Sequence, residues 1–295
     1  MKHLWDQLVT RRNLCTAVSA LRRSALGISA LTMLAACGLQ PSNAQVPPAG
    51  RNVGPRTAGA HPVTIAAGDC LDGTSSSAPS YAIRMRALVA SAIADWAPRP
   101  SAYPIKAMPA QSGLHLVMRS VSTSSYTTDE PVLDKMIPFV PALTAEPDPA
   151  TDRNYDQDVH AWTQKKTTWG KAATAASNAA AHLADQVRQF QILRYTYSAI
   201  YSCIAAAAAQ LDISGAHARL AVESDMINNR PVVGLRLSGD AVLIVGICPA
   251  AHATSCPRRF AAARTYLRRH GAASVQIVRA DAVTPGTFKA FWRGS

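Results

Sequence analysis

The sequence has few aromatic and few charged residues, and its acids are outnumbered by its bases. Aromatic residues make up 6% and charged residues 16% of the 295 positions, and 18 Asp and Glu accompany 30 Lys and Arg, for a formal net charge of +12. Nucleic-acid-binding proteins usually carry a dense basic stripe with interleaved aromatics. The sequence has no such stripe after its N-terminus, so we expect no nucleic-acid binding. Hydrophobic residues, at 48%, suffice for a sizeable core.

Several motifs of catalysis and metal binding are also missing. The chain has no Gly-rich phosphate-binding loop and no G-x-S-x-G nucleophile elbow. It has no C-x-x-C pair, and His252 has no partner at zinc-finger spacing. We therefore expect neither an enzyme nor a zinc site.

Long apolar runs are scarce, and the clearest one lies near the N-terminus. Residues 25–36 are too few to span a bilayer but have the length of the apolar core of a signal peptide. Two arginines precede this run, and it ends in Leu-Ala-Ala before Cys37. This order resembles the bacterial lipobox, which implies that residues 1–36 are removed and that Cys37 is lipidated. The protein would then be exported and anchored at the periplasmic or extracellular face of a cell membrane. The alternative is an ordinary signal peptide cut nearby, with Cys37 incidental.

The rest of the chain divides by composition. Residues 37–60 are rich in Pro, Gly, Ala and Asn, which is typical of a flexible tether. We predict a folded domain over residues 61–281, with an inserted loop and helix at about 122–192. Residues 282–295 form an aromatic tail that can dock on this domain.

Four cysteines lie in the predicted domain, and an even number in an exported protein suggests disulfides. Cys248 and Cys256 flank a short loop and are the easiest pair to close, which would leave Cys70 and Cys203. Three pairings are possible, and the sequence does not choose among them.

Apolar runs alternate with helical patterns along the domain. This alternation predicts an α/β fold with a doubly wound, mostly parallel sheet and helices on both faces. Asp69 is an awkward residue within the first strand: either the strand ends near Gly68 and Asp69 starts the loop, or Asp69 faces the same polar site as the loop residues that follow. The predicted strands are 63–71, 114–121, 217–222, 241–247 and 274–278, the predicted helices are 81–96, 161–193 (with a break at Gly170), 196–211 and 257–270, and 122–158 is a surface loop.

Oxygen-bearing side chains follow the first strand. Asp72, Thr74 and Ser76 occupy alternate positions, which suits a hard cation such as Mg²⁺. Ligands of open α/β sheets bind at the carboxyl ends of strands. Farther along the chain, Thr196 opens a predicted helix and Asp225 follows a strand. The alternative is that such loops merely cap helices.

Together these residues resemble the von Willebrand factor A-type (VWA) domain, whose metal-ion-dependent adhesion site consists of Asp-x-Ser-x-Ser, a later Thr and a later Asp. The resemblance implies that Mg²⁺ is bound by the hydroxyls of Thr74 and Ser76. Asp72 and Asp225 would hold the ion directly or through water, and Thr196 would complete the site. One coordination position stays open for an acidic side chain of a partner. The implied function is protein–protein interaction with an envelope or extracellular protein.

The sequence is compatible with two other functions. Asp72, Asp225 and Mg²⁺ suit a phosphohydrolase-like enzyme of the cell envelope. A periplasmic small-ligand receptor is the other alternative, with a pocket lined by Trp96, Trp162 and Trp169, although tryptophans at helical spacing are more often core residues.

Overall fold

Buried runs of Ala, Val, Leu and Ile form the strands, and amphipathic segments form the helices around them. The computed structural model describes residues 64–73, 79–98, 107–122, 130–194, 197–212, 217–227 and 234–295. All of these lie in one unit, Thr57–Ser295. The predicted signal peptide and tether, with Cys37, fall outside the described residues.

The described ranges contain six strands and five α-helices. The strands are Thr64–Asp72 (β1), Gly113–Val121 (β2), Val132–Ile137 (β3), Arg219–Ser224 (β4), Ala241–Gly246 (β5) and Ser274–Arg279 (β6). The α-helices are Pro79–Ala94 (α1), Tyr155–Gln189 (α2), Ile200–Leu211 (α3), Cys256–Arg269 (α4) and Pro285–Arg293 (α5).

The six strands form one sheet in the order β3-β2-β1-β4-β5-β6. Every neighbouring pair is parallel except β2 and β3, which are antiparallel. The chain moves from β1 to β2 in one direction across the sheet and from β4 to β5 in the other. The strand order therefore reverses between β1 and β4, which makes this the topological switch point of the sheet. The predicted doubly wound α/β fold is confirmed.

Both faces of the sheet are covered, as a mainly parallel sheet requires. Helices α1, α2 and α5 pack on one face, where the core includes Trp96, Trp162, Trp169 and Trp292. Helices α3 and α4 cover the other face. The β1–α1–β2 and β5–α4–β6 connections run in opposite directions across the sheet, and their helices lie on opposite faces. This is the arrangement that right-handed crossovers require. Trp96, Trp162 and Trp169, the predicted lining of a receptor pocket, are buried in this core, with at most 5% of their surface exposed.

Two predicted elements differ from the structure. The predicted surface loop contains β3, an edge strand in which only Leu133 and Ile137 are buried and the exposed residues include Asp134 and Lys135. Charges are common on edge strands because they discourage pairing with other chains, and here they hide the apolar pattern. Helix α2 also continues through Gly170 without a break, because this glycine lies in a buried stripe with Ala173 and Ala176 that packs toward the core. In the described ranges, no helix has both the length and the apolar character needed to cross a membrane.

The C-terminal tail docks on the domain as α5. Phe288, Phe291 and Trp292 are buried, and the ring of Trp292 meets that of Trp96 edge-on at 6.5 Å between centroids. The guanidinium of Arg293 lies 4.9 Å from the ring centroid of Trp96. The tail is therefore part of the core on the α1 side of the sheet.

The cysteines form two pairs at disulfide distance, Cys70–Cys203 and Cys248–Cys256. The first pair joins β1 to α3 on the face of the sheet that α3 covers. The second connects the end of β5 with the beginning of α4. The prediction of disulfides is confirmed.

Candidate functional site

The candidate site lies at the switch point, where β1 and β4 end side by side. Leu71 is opposite Glu223 in the parallel register, so Asp72 and Ser224 are the last residues of adjacent strands. The Ser224 hydroxyl donates a hydrogen bond to Oδ2 of Asp72 at 2.7 Å, and both side chains are buried. Two predicted segments more than 150 positions apart in the chain thus meet at the carboxyl edge of the sheet.

The turn after β4 is held by side chain to backbone hydrogen bonds. The backbone N–H of Met226 donates to Oγ of Ser224, and that of Ile227 donates to Oδ1 of Asp225, both at 2.9 Å. Met226 has a φ of 57°, in the left-handed region that residues with a side chain rarely adopt. These bonds on both sides of Met226 hold it in that conformation.

The segment before α3 crosses the same edge. The Ser198 hydroxyl donates to the carbonyl of Ile227 at 2.7 Å. On the other side of the site, Gly73 packs against the chain near Leu193, where a Cβ atom on Gly73 would lie 2.5 Å from the carbonyl oxygen of Leu193. The absent side chain therefore permits a close approach at the end of β1.

Asp225 is fully buried, but only one of its two carboxylate oxygens accepts a hydrogen bond from the described residues. Its Oδ1 accepts from Ile227, whereas Oδ2 has no hydrogen-bond partner among the described residues. A buried carboxylate oxygen without a donor is costly, and a cation beside it would remove that cost. Asp72, Ser224 and Asp225 offer only oxygen atoms, which is the donor type that Mg²⁺ prefers.

The donor set is incomplete within the described residues. There, no three His, Cys, Asp or Glu side chains form a group able to hold a metal ion. Mg²⁺ at this edge would therefore need hydroxyl, carbonyl or water oxygens besides the two carboxylates. Thr74, Ser76 and Thr196, the hydroxyl ligands that the resemblance implies, lie outside the described residues.

A second pair of acids lies within the sheet beside this site. Asp69 of β1 is opposite Ala221 of β4, and Leu71 is opposite Glu223. Because side chains alternate along a strand, Asp69 and Glu223 point to the same face, diagonally across the two strands. Both are at most 1% exposed, and if both were ionised neither carboxylate could donate a hydrogen bond to the other.

Burial changes the protonation of this acid pair. It raises the pKa of Asp69 to about 7, although a hydrogen bond with Glu223 partly offsets the effect. The pKa of Glu223 is raised well above its ordinary value, first by burial and then by the neighbouring charge of Asp69. One of the two therefore carries a proton at neutral pH, and the protonated carboxyl can donate to the other.

Both interpretations of Asp69 drawn from the sequence were wrong. Strand β1 continues past Gly68 to Asp72, and Asp69 points to the opposite face of the sheet from Asp72. The signal that could have revealed the pair was a second acid, Glu223, at the end of another apolar strand. Only the adjacency of β1 and β4 shows that these two acids meet.

The described part of the site thus consists of two buried aspartates and a serine at the carboxyl ends of β1 and β4, next to a buried acid pair. Of the metal ligands predicted from the sequence, Asp72 and Asp225 lie within the described residues. The structure places both of them at this edge. Comparisons of the chain with protein-family models, with curated proteins and with solved structures found no match.

Proposed function

We propose that the protein is a membrane-tethered recognition module whose VWA-like domain binds a protein partner at the carboxyl edge between β1 and β4. The observation that carries the proposal is the hydrogen bond between Ser224 and Asp72, which joins the two predicted motif segments at the switch point. Ligands of open α/β sheets bind in this crevice. The lipobox-like sequence that ends at Cys37 supports a tether to a cell membrane.

The chain's own residues prepare this edge for a cation. Ser224 orients Asp72 through its hydroxyl, and the Ile227 N–H occupies one oxygen of Asp225 and leaves Oδ2 available. Two buried carboxylates at the end of adjacent strands create a negative potential there. When bound, Mg²⁺ supplies a positive charge with an open coordination position, which an acidic side chain of the partner can fill.

The first test is calorimetric titration of the purified protein with Mg²⁺ and Mn²⁺. We expect saturable binding, and we expect Asp225→Asn to weaken it at least about tenfold, because the variant keeps the shape and the acceptor for Ile227 but loses the charge. Asp240→Asn is the matched control. Asp240 is also a buried aspartate that accepts a backbone N–H, from Ala218, but it precedes β5 at the opposite edge of the sheet.

Equal affinity of wild type and Asp225→Asn would contradict the metal site, as would the absence of any binding heat. A second measurement concerns the partner. Cross-linking to isolated envelope proteins should be lost on adding EDTA and in Asp225→Asn, and retained in Asp240→Asn. Hydrolysis of phosphoesters that depends on Mg²⁺ and on Asp225 would instead support the phosphohydrolase alternative.

The tether gives a separate prediction. Full-length protein expressed in a bacterial host should partition into the detergent phase, whereas Cys37→Ser should partition into the aqueous phase, because the variant lacks the acceptor for the lipid. Phase partition followed by immunoblotting measures this. Cys15→Ser is the control, since Cys15 lies in the segment that the signal peptidase would remove. Identical partition of wild type and Cys37→Ser would refute the lipid anchor.

A further inference from the structure

A cleft of about 690 Å³ opens at the carboxyl ends of β5 and β6. Gly246, which lines it, is opposite Ser224 in the parallel register, so the cleft lies one strand away from the β1–β4 switch point, on the α4 side of the sheet. Its size is that of a small-molecule site. Its walls are mainly apolar and include Phe260, Ala261 and Ile277. The side chains of Tyr81 and of two arginines supply polar groups to its lining.

The framework of the cleft is rigid. Gly246 ends β5, and a Cβ atom there would lie 2.8 Å from the ring of Phe260, so the bare glycine lets this ring pack against the end of the strand. The Cys248–Cys256 pair forms part of the wall and connects the strand end to the beginning of α4. A disulfide and a packed aromatic ring thus shape the cleft before any ligand arrives, which reduces the entropic cost of binding.

The surroundings of the cleft are positively charged. Between Asp240 and Asp281 the chain contains no Asp or Glu. The first turn of α4, where the helix dipole is positive, also lines the cleft. A small anion is therefore favoured here over a cation. The arginines of this acid-free segment are Arg258, Arg259, Arg264, Arg268, Arg269 and Arg279.

Two arginines line the cleft, and they differ in their partners. Arg279 is engaged by Asp281, with Nε 3.1 Å from Oδ1 and a terminal nitrogen 2.6 Å from Oδ2. This pairing lowers the pKa of Asp281 and neutralises the one acid that lines the cleft. Arg264 makes no hydrogen bond or ion pair within the described residues. Its guanidinium is thus the cationic group available to a ligand.

We propose that this cleft binds a small organic acid with an apolar body. The carboxylate pairs with Arg264, which presents a planar fork of N–H donors suited to carboxylates. The apolar body lies against Phe260, Ala261 and Ile277. Asp72, Ser224 and Asp225 do not line this cleft, so variants of the two proposed sites can be tested separately.

Octanoate is the probe, titrated by calorimetry into the purified full-length protein, with octylammonium as the cation of equal length. We expect one octanoate to bind per chain and octylammonium not to bind. Arg264→Gln should weaken octanoate binding at least about tenfold through loss of the ion pair. Arg269→Gln removes the same charge from an exposed arginine of α4 that does not line the cleft, and it should bind like the wild type.

A second variant tests the place of binding without changing charge. Ala261 is exposed and lines the cleft, so Ala261→Trp should fill it and abolish binding while the circular dichroism spectrum and Tm stay those of the wild type. The proposal is overturned if the wild type does not bind octanoate. It is equally overturned if Arg264→Gln and Arg269→Gln lose the same affinity, or if Ala261→Trp retains binding.

Discussion

Replacing both Cys70 and Cys203 with alanine is expected to lower the free energy of unfolding by about 4–5 kcal/mol. The two cysteines are 133 positions apart in the chain, so their disulfide closes a very long loop in the unfolded state and removes much of its conformational entropy. In the folded state the pair joins β1 to α3, and both cysteines are buried. Urea unfolding of the oxidised proteins, followed by circular dichroism, measures the difference.

The other pair provides the matched control. Cys248 and Cys256 are separated by 8 positions, and the same entropic argument gives a loss of about 2–3 kcal/mol for their double alanine variant. The expected order is therefore wild type, then the variant without the short loop, then the variant without the long loop. Equal losses, or a larger loss for the short loop, would show that loop entropy does not set the contribution of these bonds.

Glu223→Gln is expected to stabilise the protein at pH 8 by about 2 kcal/mol more than it does at pH 5. In the wild type, burial raises the pKa of both Asp69 and Glu223. The folded state then binds more protons than the unfolded state, so stability falls as pH rises from about 4, the ordinary pKa of these acids, through about 7, the raised pKa of Asp69. Below that range both states are protonated and the penalty is absent. An amide at position 223 cannot ionise, and its NH₂ group can donate to Asp69.

Urea unfolding at pH 5 and pH 8, followed by tryptophan fluorescence, tests this expectation. Glu146→Gln makes the same chemical change at an exposed position and should leave stability unchanged at both pH values. If the free energies of unfolding of Glu223→Gln and wild type differed by the same amount at pH 5 and pH 8, the protonation that we assign to the acid pair would be wrong. A destabilised Glu223→Gln at pH 8 would lead to the same conclusion.

The acid pair also bears on the recognition site, because each of its members is close in sequence to a site residue. Asp69 precedes Asp72 by three residues, and Glu223 directly precedes Ser224. Buried titratable groups are costly to stability and tend to occur near functional sites. The central strands therefore carry polar groups on both faces where they approach the switch point, which a purely structural sheet would avoid.

The sequence by itself determined the fold class and the elements with strong local patterns. Apolar runs identified β1, β2, β4, β5 and β6, because strands buried on both faces read as continuous hydrophobic segments. The position of Asp72 and Asp225 after such runs was enough to place them at strand ends. The hydrophobic pattern of a segment indicates how it is buried, and the strand predictions depend only on that local information.

Tertiary structure alone decided how distant segments meet. Strand order places β4 next to β1, and this adjacency brings Ser224 to Asp72 and Glu223 to Asp69. It also paired the cysteines, while packing toward the core carried α2 through Gly170. The physical reason is that these contacts depend on which elements share a face or an edge. That information lies in the packing of the whole chain and leaves no local periodicity in the sequence.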